Sequence, residues 1–213
     1  MKLHSIKVEI STFLAVLFLF IAPSLLTILS AKDSILFTSW EFPYVQLSLF
    51  IIALMLFIFY NDNNERPKLL RFPILITVGS LLAVALLIKS VSVYISPEET
   101  EKITLPNSVI TWIFCILNFA FAAFYEEVIY RFYFGDSLAY LLSLRFKWKC
   151  LPLICEVICA LVFAFSHLYL GVLAVVNALI GHVILRVCYK KNKCLLPCAI
   201  AHFLYNLISL VLM

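Results

Sequence analysis

The sequence predicts an all-α fold, a polytopic transmembrane helical bundle with about seven membrane segments. Of the 213 residues, 64% are hydrophobic and only 13% are charged, and the mean hydropathy is +1.07. A soluble domain of this length could not hide so much apolar surface. The apolar runs are long enough to span a bilayer and lack the alternation of barrel strands, so helices are the structure we expect in the membrane.

The seven predicted spans follow one another with short polar connections. They run from about Ile10 to Leu29, Tyr44 to Tyr60, Phe72 to Ile95, Asn107 onward, Leu151 to Tyr169, Gly171 to Val187, and Leu195 to the C-terminus. The first run is too long for a signal-peptide core and lacks a convincing small-residue cleavage site. We therefore interpret residues 1–213 as a single membrane domain, in which residues 1–106 supply three spans without a chemical motif and residues 107–213 carry the candidate site.

Basic residues predict the orientation of the bundle. They gather on one side, in the N-terminal head and in alternate loops: Lys2, Lys7, Arg66, Lys68, Arg71, Arg145, Lys147, Lys149, Arg186, Lys190, Lys191 and Lys193. The positive-inside rule therefore predicts a multi-pass protein of the cell membrane with a cytoplasmic N-terminus and an external C-terminus. The net charge of +4 is small, and no basic patch interleaved with aromatic residues points to a nucleic-acid partner. Seven cysteines lie in or beside apolar segments without a CxxC pair, so a disulfide framework is not expected.

The apolar stretch FYEEVIYRF contains Glu126, Glu127 and Arg131. An ionisable side chain in a span is costly, and it generally persists by facing a polar cavity or a partner. Glu127 and Arg131 are four residues apart with the acid first, which is the favourable order for an ion pair on one helical face. Glu126 points about 100° away from that pair and has no obvious counter-charge. Glu126 is therefore the candidate general base.

An alternative is that this segment marks a helix end at the level of the lipid headgroups. Depth argues against it, because the next basic cluster begins only at Arg145. If the helix continues to about Leu144, with Gly135 as the candidate for a kink, the glutamates lie about 18 residues, or roughly 27 Å, from the cytoplasmic end. They would then be buried deep in the membrane.

Two further segments place imidazole and amide groups in spans. His167 of FAFSH lies about 17 residues, or roughly 25 Å, beyond the preceding basic loop, a depth similar to that of the glutamates. His202 and Asn206 of HFLYN are four residues apart and face one side of the last helix. His202 follows the last basic loop closely, so its convergence with the other groups needs tilt or a loop that dips inward. His182 and Asn177 are interpreted as helix-packing hydrogen bonders, and Ser166 as a neighbour of His167 rather than a nucleophile.

The three motifs, in this order, resemble the signature of the CPBP family, the CAAX prenyl endopeptidases and bacteriocin-processing proteins, also called the Abi family. EEVIYR resembles EExxxR, FAFSH resembles FxxxH, and HFLYN resembles HxxxN. The resemblance covers roughly residues 111–212. One departure is that many members have glycine directly after the arginine, whereas this chain has Phe132 there and glycine only at Gly135. That departure concerns the local bend rather than the chemistry.

The resemblance implies an intramembrane endopeptidase with a Glu/His site. By its pattern Glu126 and His167 would activate the attacking water, His202 and Asn206 would stabilise the oxyanion, and Glu127 and Arg131 would be the supporting pair. The resemblance also implies a membrane-associated or lipidated peptide as substrate, in bacteriocin or pheromone peptide maturation or in self-immunity. Two imidazoles and a carboxylate can also bind zinc, and the cofactor stays open, although water activation without a metal is favoured.

Three functions from different classes remain open at this point. The first is a protease acting on a membrane-associated peptide. The second is a non-catalytic partner protein of the same fold that stabilises another membrane protein. The third is a small transporter in which Glu126 and Glu127 relay protons.

Overall fold

The computed structural model describes residues 3–21, 40–60, 71–95 and 105–212, and the regular structure in these ranges is helical. The helices are α1 (Leu3–Val16), which continues as a π-helix (Leu17–Ile21), α2 (Tyr44–Tyr60), α3 (Arg71–Ile95), α4 (Val109–Glu127), a π-helix (Val128–Tyr133), α5 (Phe134–Ser143), α6 (Leu151–Phe165), a 3₁₀ turn (Leu168–Leu170), α7 (Val172–Asn192) and α8 (Leu195–Leu212). The predicted all-α class is confirmed.

Four helical stretches are long and apolar enough to cross a membrane: Pro73–Tyr94, Val109–Ser143, Val172–Asn192 and Leu195–Leu212. Three shorter apolar helices, Glu9–Phe20, Tyr44–Tyr60 and Leu151–Phe165, correspond to the other predicted spans. The second half of the first predicted span lies outside the described residues. The chain is thus a helical membrane protein, while seven crossings, their orientation and the division at residue 106 stay predictions.

The last helix, α8, occupies a central place in the bundle, because it packs against α3, α4 and α7. Helix α7 packs in turn against α3 and α6, and α2 packs against α4. Many large apolar side chains point outward, including Leu75, Leu87 and Val172. Such an apolar exterior suits contact with lipid. Because α8 carries His202 and Asn206, its central position brings the last motif to the other two.

The long helix that carries the two glutamates runs without a break from Val109 to Ser143. Its start is fixed by a capping box, in which the hydroxyl of Ser108 accepts from the backbone N–H of Thr111, and the Thr111 hydroxyl accepts from the N–H of Ser108. The predicted continuation to about Leu144 is confirmed. The irregular turn, however, is the π-helix before Gly135, and Gly135 itself lies buried in α5.

Two predicted boundaries differ from the structure. Helix α6 ends at Phe165 rather than near Tyr169, and a 3₁₀ turn leads to Gly171, whose φ of +96° suits glycine and lets the chain enter α7. The sixth span, predicted to end at Val187, continues as helix to Asn192. Arg186 therefore lies inside a helix and is 8% exposed, so its assignment to a cytoplasmic loop was wrong.

Candidate active site

Glu127 and Arg131 form the buried ion pair that the sequence predicts. Arg131 Nε lies 3.2 Å from Glu127 Oε2, and both side chains are fully buried. The guanidinium of Arg131 also lies over the ring of Phe163, 4.3 Å from its centroid. Nη1 and Nη2 have no hydrogen-bond partner among the described residues. The arginine is thus held by one carboxylate and one aromatic face.

His202 joins the last helix to both glutamates. Its Nδ1 lies 2.8 Å from Glu127 Oε1, and its Nε2 lies 3.8 Å from Glu126 Oε2. An ionised carboxylate only accepts hydrogen bonds, so we assign the Nδ1 proton as the one donated to Glu127. Glu127 therefore has two cationic or donating neighbours, Arg131 and His202. His202 thus reaches the two glutamates, a convergence that was expected only if the helix tilts or a loop dips inward.

Glu126 is the less satisfied of the two carboxylates. Its side chain is 18% exposed, and within the described ranges Oε2 is buried without a hydrogen-bond partner. Glu126 also shares a side-chain hydrogen bond with Tyr125, and its charge acts on the hydroxyls of Tyr130 and Tyr169. A buried carboxylate oxygen with open hydrogen-bonding capacity is suited to bind and deprotonate a water molecule.

His167 lies in the turn after α6 rather than within a helix. Its Nδ1 lies 2.9 Å from the carbonyl oxygen of Phe163 and 3.2 Å from the hydroxyl of Ser166. A carbonyl oxygen can only accept, so the Nδ1 proton is the one that satisfies it, and a neutral His167 ring keeps a basic lone pair on Nε2. The Ser166 hydroxyl donates to the same carbonyl, at 2.7 Å.

A cavity of about 190 Å³ brings the second and third motifs together. His167, His202 and Asn206 all contribute to its wall. Glu126 does not line this cavity, and no hydrogen bond or ion pair joins Glu126 to His167 in the described part of the chain. His202 contacts Glu126 and also lines the cavity, so it connects the two.

Two sets of polar contacts in the bundle were not predicted from the sequence. Asn177 Nδ2 donates to the hydroxyl of Tyr205 at 2.8 Å, and both residues line the cavity. Asn177 is thus a packing hydrogen bonder, as predicted, but its bond lies at the candidate site. Tyr205 directly precedes Asn206, and no spacing rule singled it out. His182 is buried against the ring of Phe163, and its Nδ1 has no hydrogen-bond partner among the described residues.

The second contact set surrounds Arg186. The guanidinium donates through Nε to both oxygens of Glu156, at 3.0 and 2.9 Å, through Nη2 to Asp136 at 3.2 Å, and through Nη1 to the backbone carbonyl of Arg131. Lys190 Nζ lies 3.0 Å from Glu156 Oε1. A loop position for Arg186, as predicted from the sequence, does not indicate these partners.

The donor set does not suit a resident metal in this arrangement. Among the described residues, no group of three or more His, Cys, Asp or Glu side chains is placed to hold an ion. His202 Nδ1 and Glu127 are already engaged with each other.

Comparison with known proteins finds one similarity, in the second half of the chain. The family model described as type II CAAX prenyl endopeptidase Rce1-like matches residues 108–208. The matched range contains all three motifs and every side chain of the candidate site. Searches of the curated proteins and of the solved structures found no match. Residues 108–208 are thus similar to a family of prenyl endopeptidases.

Proposed function

We propose that the protein is an intramembrane endopeptidase in which Glu126 activates the hydrolytic water. The observation that carries this proposal is the buried Oε2 of Glu126, which has no hydrogen-bond partner in the described part of the chain and lies 3.8 Å from His202 Nε2. The match to a family of CAAX prenyl endopeptidases supports the reaction class. The ion pair of Glu127 and Arg131 supports different roles for the two glutamates. It holds Glu127 in place, and Glu126 lies outside that pair and can act as the base.

Glu126 and His167 share the activation of water in this mechanism. The water oxygen bonds to the carbonyl carbon of the substrate while its proton passes to Glu126. The lone pair on His167 Nε2 assists from the cavity side. When the tetrahedral intermediate collapses, the C–N bond breaks and the proton held by Glu126 passes to the leaving amine, so that the site returns to its starting state.

His202 and Asn206 stabilise the oxyanion. They are one helical turn apart on α8, and both line the cavity. The amide of Asn206 can donate without a change of protonation. His202 Nδ1 faces Glu127, so a donation from His202 to the oxyanion requires a proton on Nε2. Glu127 and Arg131 are positioning residues in this scheme, because they orient His202 rather than touch the substrate.

The described conformation is closed with respect to this reaction. Glu126 is not part of the cavity wall, and its Oε2 lies 3.8 Å from Nε2 of His202, which is part of that wall. A carbonyl that enters the cavity can be attacked only after His202 or Glu126 moves enough to join the carboxylate to that space. Substrate and water would drive this change, since they supply a hydrogen bond to Glu126 Oε2, which has none from the described residues.

The setting of the site supports a proposal for the substrate class. A site between apolar helices suits a peptide that reaches it from the membrane, such as a lipidated C-terminus. We propose a multi-pass protein of the cell membrane with a cytoplasmic N-terminus. Its proposed role is maturation of a bacteriocin-like or pheromone peptide, or self-immunity against one.

The test compares turnover by the wild type and by Glu126→Gln in liposomes that contain farnesylated CAAX peptides. Glu126→Gln keeps the shape of the side chain but removes the base, and we expect turnover to fall by roughly 10²- to 10⁴-fold. Glu156→Gln is the matched control, because it removes a carboxylate from a neighbouring helix outside the cavity.

Mass spectrometry of membrane peptides from cells with active and Glu126→Gln protein extends the test to natural substrates. Peptides that persist only in the variant are the expected result. If Glu126→Gln cells process every peptide and keep the phenotype of the wild type, the proposal is wrong, and a non-catalytic partner of the same fold becomes the better account.

A further inference from the structure

The connection between α5 and α6 is short, exposed and rich in basic and aromatic residues. It covers residues 144–150, and every residue in it is exposed. Within it, basic and aromatic side chains alternate over residues 145–149, which read RFKWK. Phe146 is 39% exposed and Trp148 is 58% exposed. Aromatic rings beside long cationic side chains are typical of the interface between lipid and water.

The two aromatic rings of this connection lie together at the end of α5. The ring centroids of Phe146 and Trp148 are 5.0 Å apart, with an angle of 38° between the planes. Lys147, which stands between them in the sequence, turns back, and its Nζ donates to the carbonyl oxygen of Ser143 at 2.9 Å. That bond satisfies a carbonyl in the last turn of the helix. The two rings can therefore act as one apolar surface.

The end of α7 lies at the same end of the bundle as this connection. Glu156, near the start of α6, has its Oε1 3.0 Å from Nζ of Lys190, near the end of α7. Lys191 and Lys193 follow directly, and both are exposed. Two connections thus bring basic residues to one end of the bundle: Arg145, Lys147, Lys149, Lys190, Lys191 and Lys193.

The carboxylates near this end are already paired. Asp136 and Glu156 both contact Arg186, and Glu156 also contacts Lys190. Four exposed cations have no carboxylate at ion-pair distance in the ranges that the structure describes: Arg145, Lys149, Lys191 and Lys193. We call these four cations, together with Phe146 and Trp148, the basic patch. Its surplus of positive charge is complementary to a negatively charged surface.

We propose that the basic patch binds the headgroups of anionic phospholipids. The four cations contact the lipid phosphates through charge-assisted hydrogen bonds. The rings of Phe146 and Trp148 lie between the headgroups and the acyl chains, where amphipathic aromatic side chains are enriched. The bound lipid is thus held by its charge and by its apolar part.

A lipid surface fits the basic patch better than a soluble polyanion does. The neighbouring parts of α6 and α7 present apolar side chains to the exterior, with Leu153 67% exposed and Val187 47% exposed. Such surfaces suit contact with acyl chains. A phospholipid can therefore reach the cations with its headgroup while its chains lie against these helices.

The basic patch lies at the start of two helices that carry the candidate site. Helix α6 begins just after Lys149 and leads to His167, and α8 begins just after Lys193 and carries His202. A lipid bound to both connections holds the two helix ends together. Anionic lipid should therefore raise the thermal stability of the folded chain.

The first experiment measures which phospholipid surrounds Trp148. The chain with Trp40→Phe and Trp112→Phe has Trp148 as its only tryptophan. It is placed in phosphatidylcholine liposomes in which a fixed fraction of lipid, either phosphatidylglycerol or phosphatidylcholine, carries brominated acyl chains. Stronger quenching by phosphatidylglycerol is expected. Arg145→Gln and Lys149→Gln should each lower the relative affinity for phosphatidylglycerol by roughly fivefold. Equal quenching by the two lipids would overturn the proposal.

Lys89→Gln, in the same background, is the matched control. It removes the same charge at the other end of α8, where Lys89 Nζ lies 3.4 Å from the carbonyl oxygen of Leu212. The preference for phosphatidylglycerol should be unchanged. A loss equal to that of Lys149→Gln would mean that only the net charge of the protein matters, and the assignment of a site would be wrong.

The second experiment keeps the native tryptophans and needs no turnover, so its result is independent of the proposed protease activity. Thermal unfolding in detergent micelles is compared with added phosphatidylglycerol, phosphatidylcholine, inorganic phosphate or a short single-stranded oligonucleotide. Only phosphatidylglycerol should raise the unfolding temperature. This rise should be lost when four cations are replaced by glutamine: Arg145, Lys149, Lys191 and Lys193.

Three results of the second experiment would contradict the proposal. An equal effect of the two lipids would show that the charge of the headgroup is not recognised. An equal rise with inorganic phosphate would indicate a site for a free anion. A rise with the oligonucleotide but not with phosphatidylglycerol would indicate a nucleic-acid surface in place of a lipid site.

Discussion

Arg131 and Arg186 are both buried arginines in an apolar bundle, yet their surroundings differ. Arg131 has one carboxylate at 3.2 Å and an aromatic face, and its two terminal nitrogens have no hydrogen-bond partner among the described residues. Arg186 binds Glu156 through two nitrogens, and it reaches Asp136 and a backbone carbonyl. Buried polar groups are normally satisfied, so a cluster with open positions is the one where a functional reason is expected.

The difference distinguishes a structural network from the proposed active site. Around Arg186, every charge is paired and the contacts tie α5, α6 and α7 together. Around Arg131, the pairing extends through Glu127 and His202 to Glu126, whose Oε2 has no hydrogen-bond partner among the residues that the structure describes. His202, which lines the cavity, connects it to that oxygen. The comparison predicts that damage to the first network lowers stability, whereas damage to the second lowers both stability and chemistry.

The largest effect is expected for Arg131→Met. The substitution leaves Glu127 buried without its cation, and breaking a buried ion pair in this way costs about 3–5 kcal/mol. His202 would also lose its fixed orientation, so the folded fraction and the turnover of each folded molecule should both fall. Thermal unfolding in detergent and turnover normalised to folded protein measure the two effects.

Arg131→Lys is the matched control, since it keeps the charge but loses the planar guanidinium. A milder loss than in Arg131→Met is expected. Wild-type yield and stability in Arg131→Met would show that the ion pair does not hold Glu127. The proposed difference between the roles of Arg131 and Arg186 would then be wrong.

A smaller and purely structural effect is expected for Arg186→Met. Glu156 keeps Lys190 as a partner, at 3.0 Å, and Asp136 is 68% exposed, so water can solvate it. The free energy of unfolding should fall by less than in Arg131→Met, while turnover for each folded molecule stays near that of the wild type. A loss of turnover in well-folded Arg186→Met would mean that the contact to the Arg131 carbonyl also serves the chemistry.

The smallest effect is expected for Lys190→Met. The Lys190 side chain is 59% exposed, and exposed ion pairs contribute roughly 0–1 kcal/mol because solvent screens them. Thermal stability should stay within the scatter of repeated measurements and fall no further in high salt. A loss equal to that of Arg186→Met would show that the two cations hold Glu156 jointly.

The sequence was most informative where periodicity and spacing act locally. The helices and the pairing of Glu127 with Arg131 follow from apolar runs and from a spacing of four residues. The contact of His202 with both glutamates could not follow in the same way, since it depends on how α8 packs against α4. Arg186 and Tyr205 were missed because their partners lie 30 and 28 residues away on other helices.

The π-helix at Val128–Tyr133 limits how mutation can alter the relative direction of side chains before and after it. Each residue of an α-helix turns the chain by about 100°, so the π-helix sets a fixed angular offset between the glutamates before it and Asp136 after it. Loss of one residue within that turn would rotate one half of the helix against the other. This angle changes only when a whole residue is inserted or deleted. Substitutions therefore cannot gradually change the direction of the glutamates relative to Asp136.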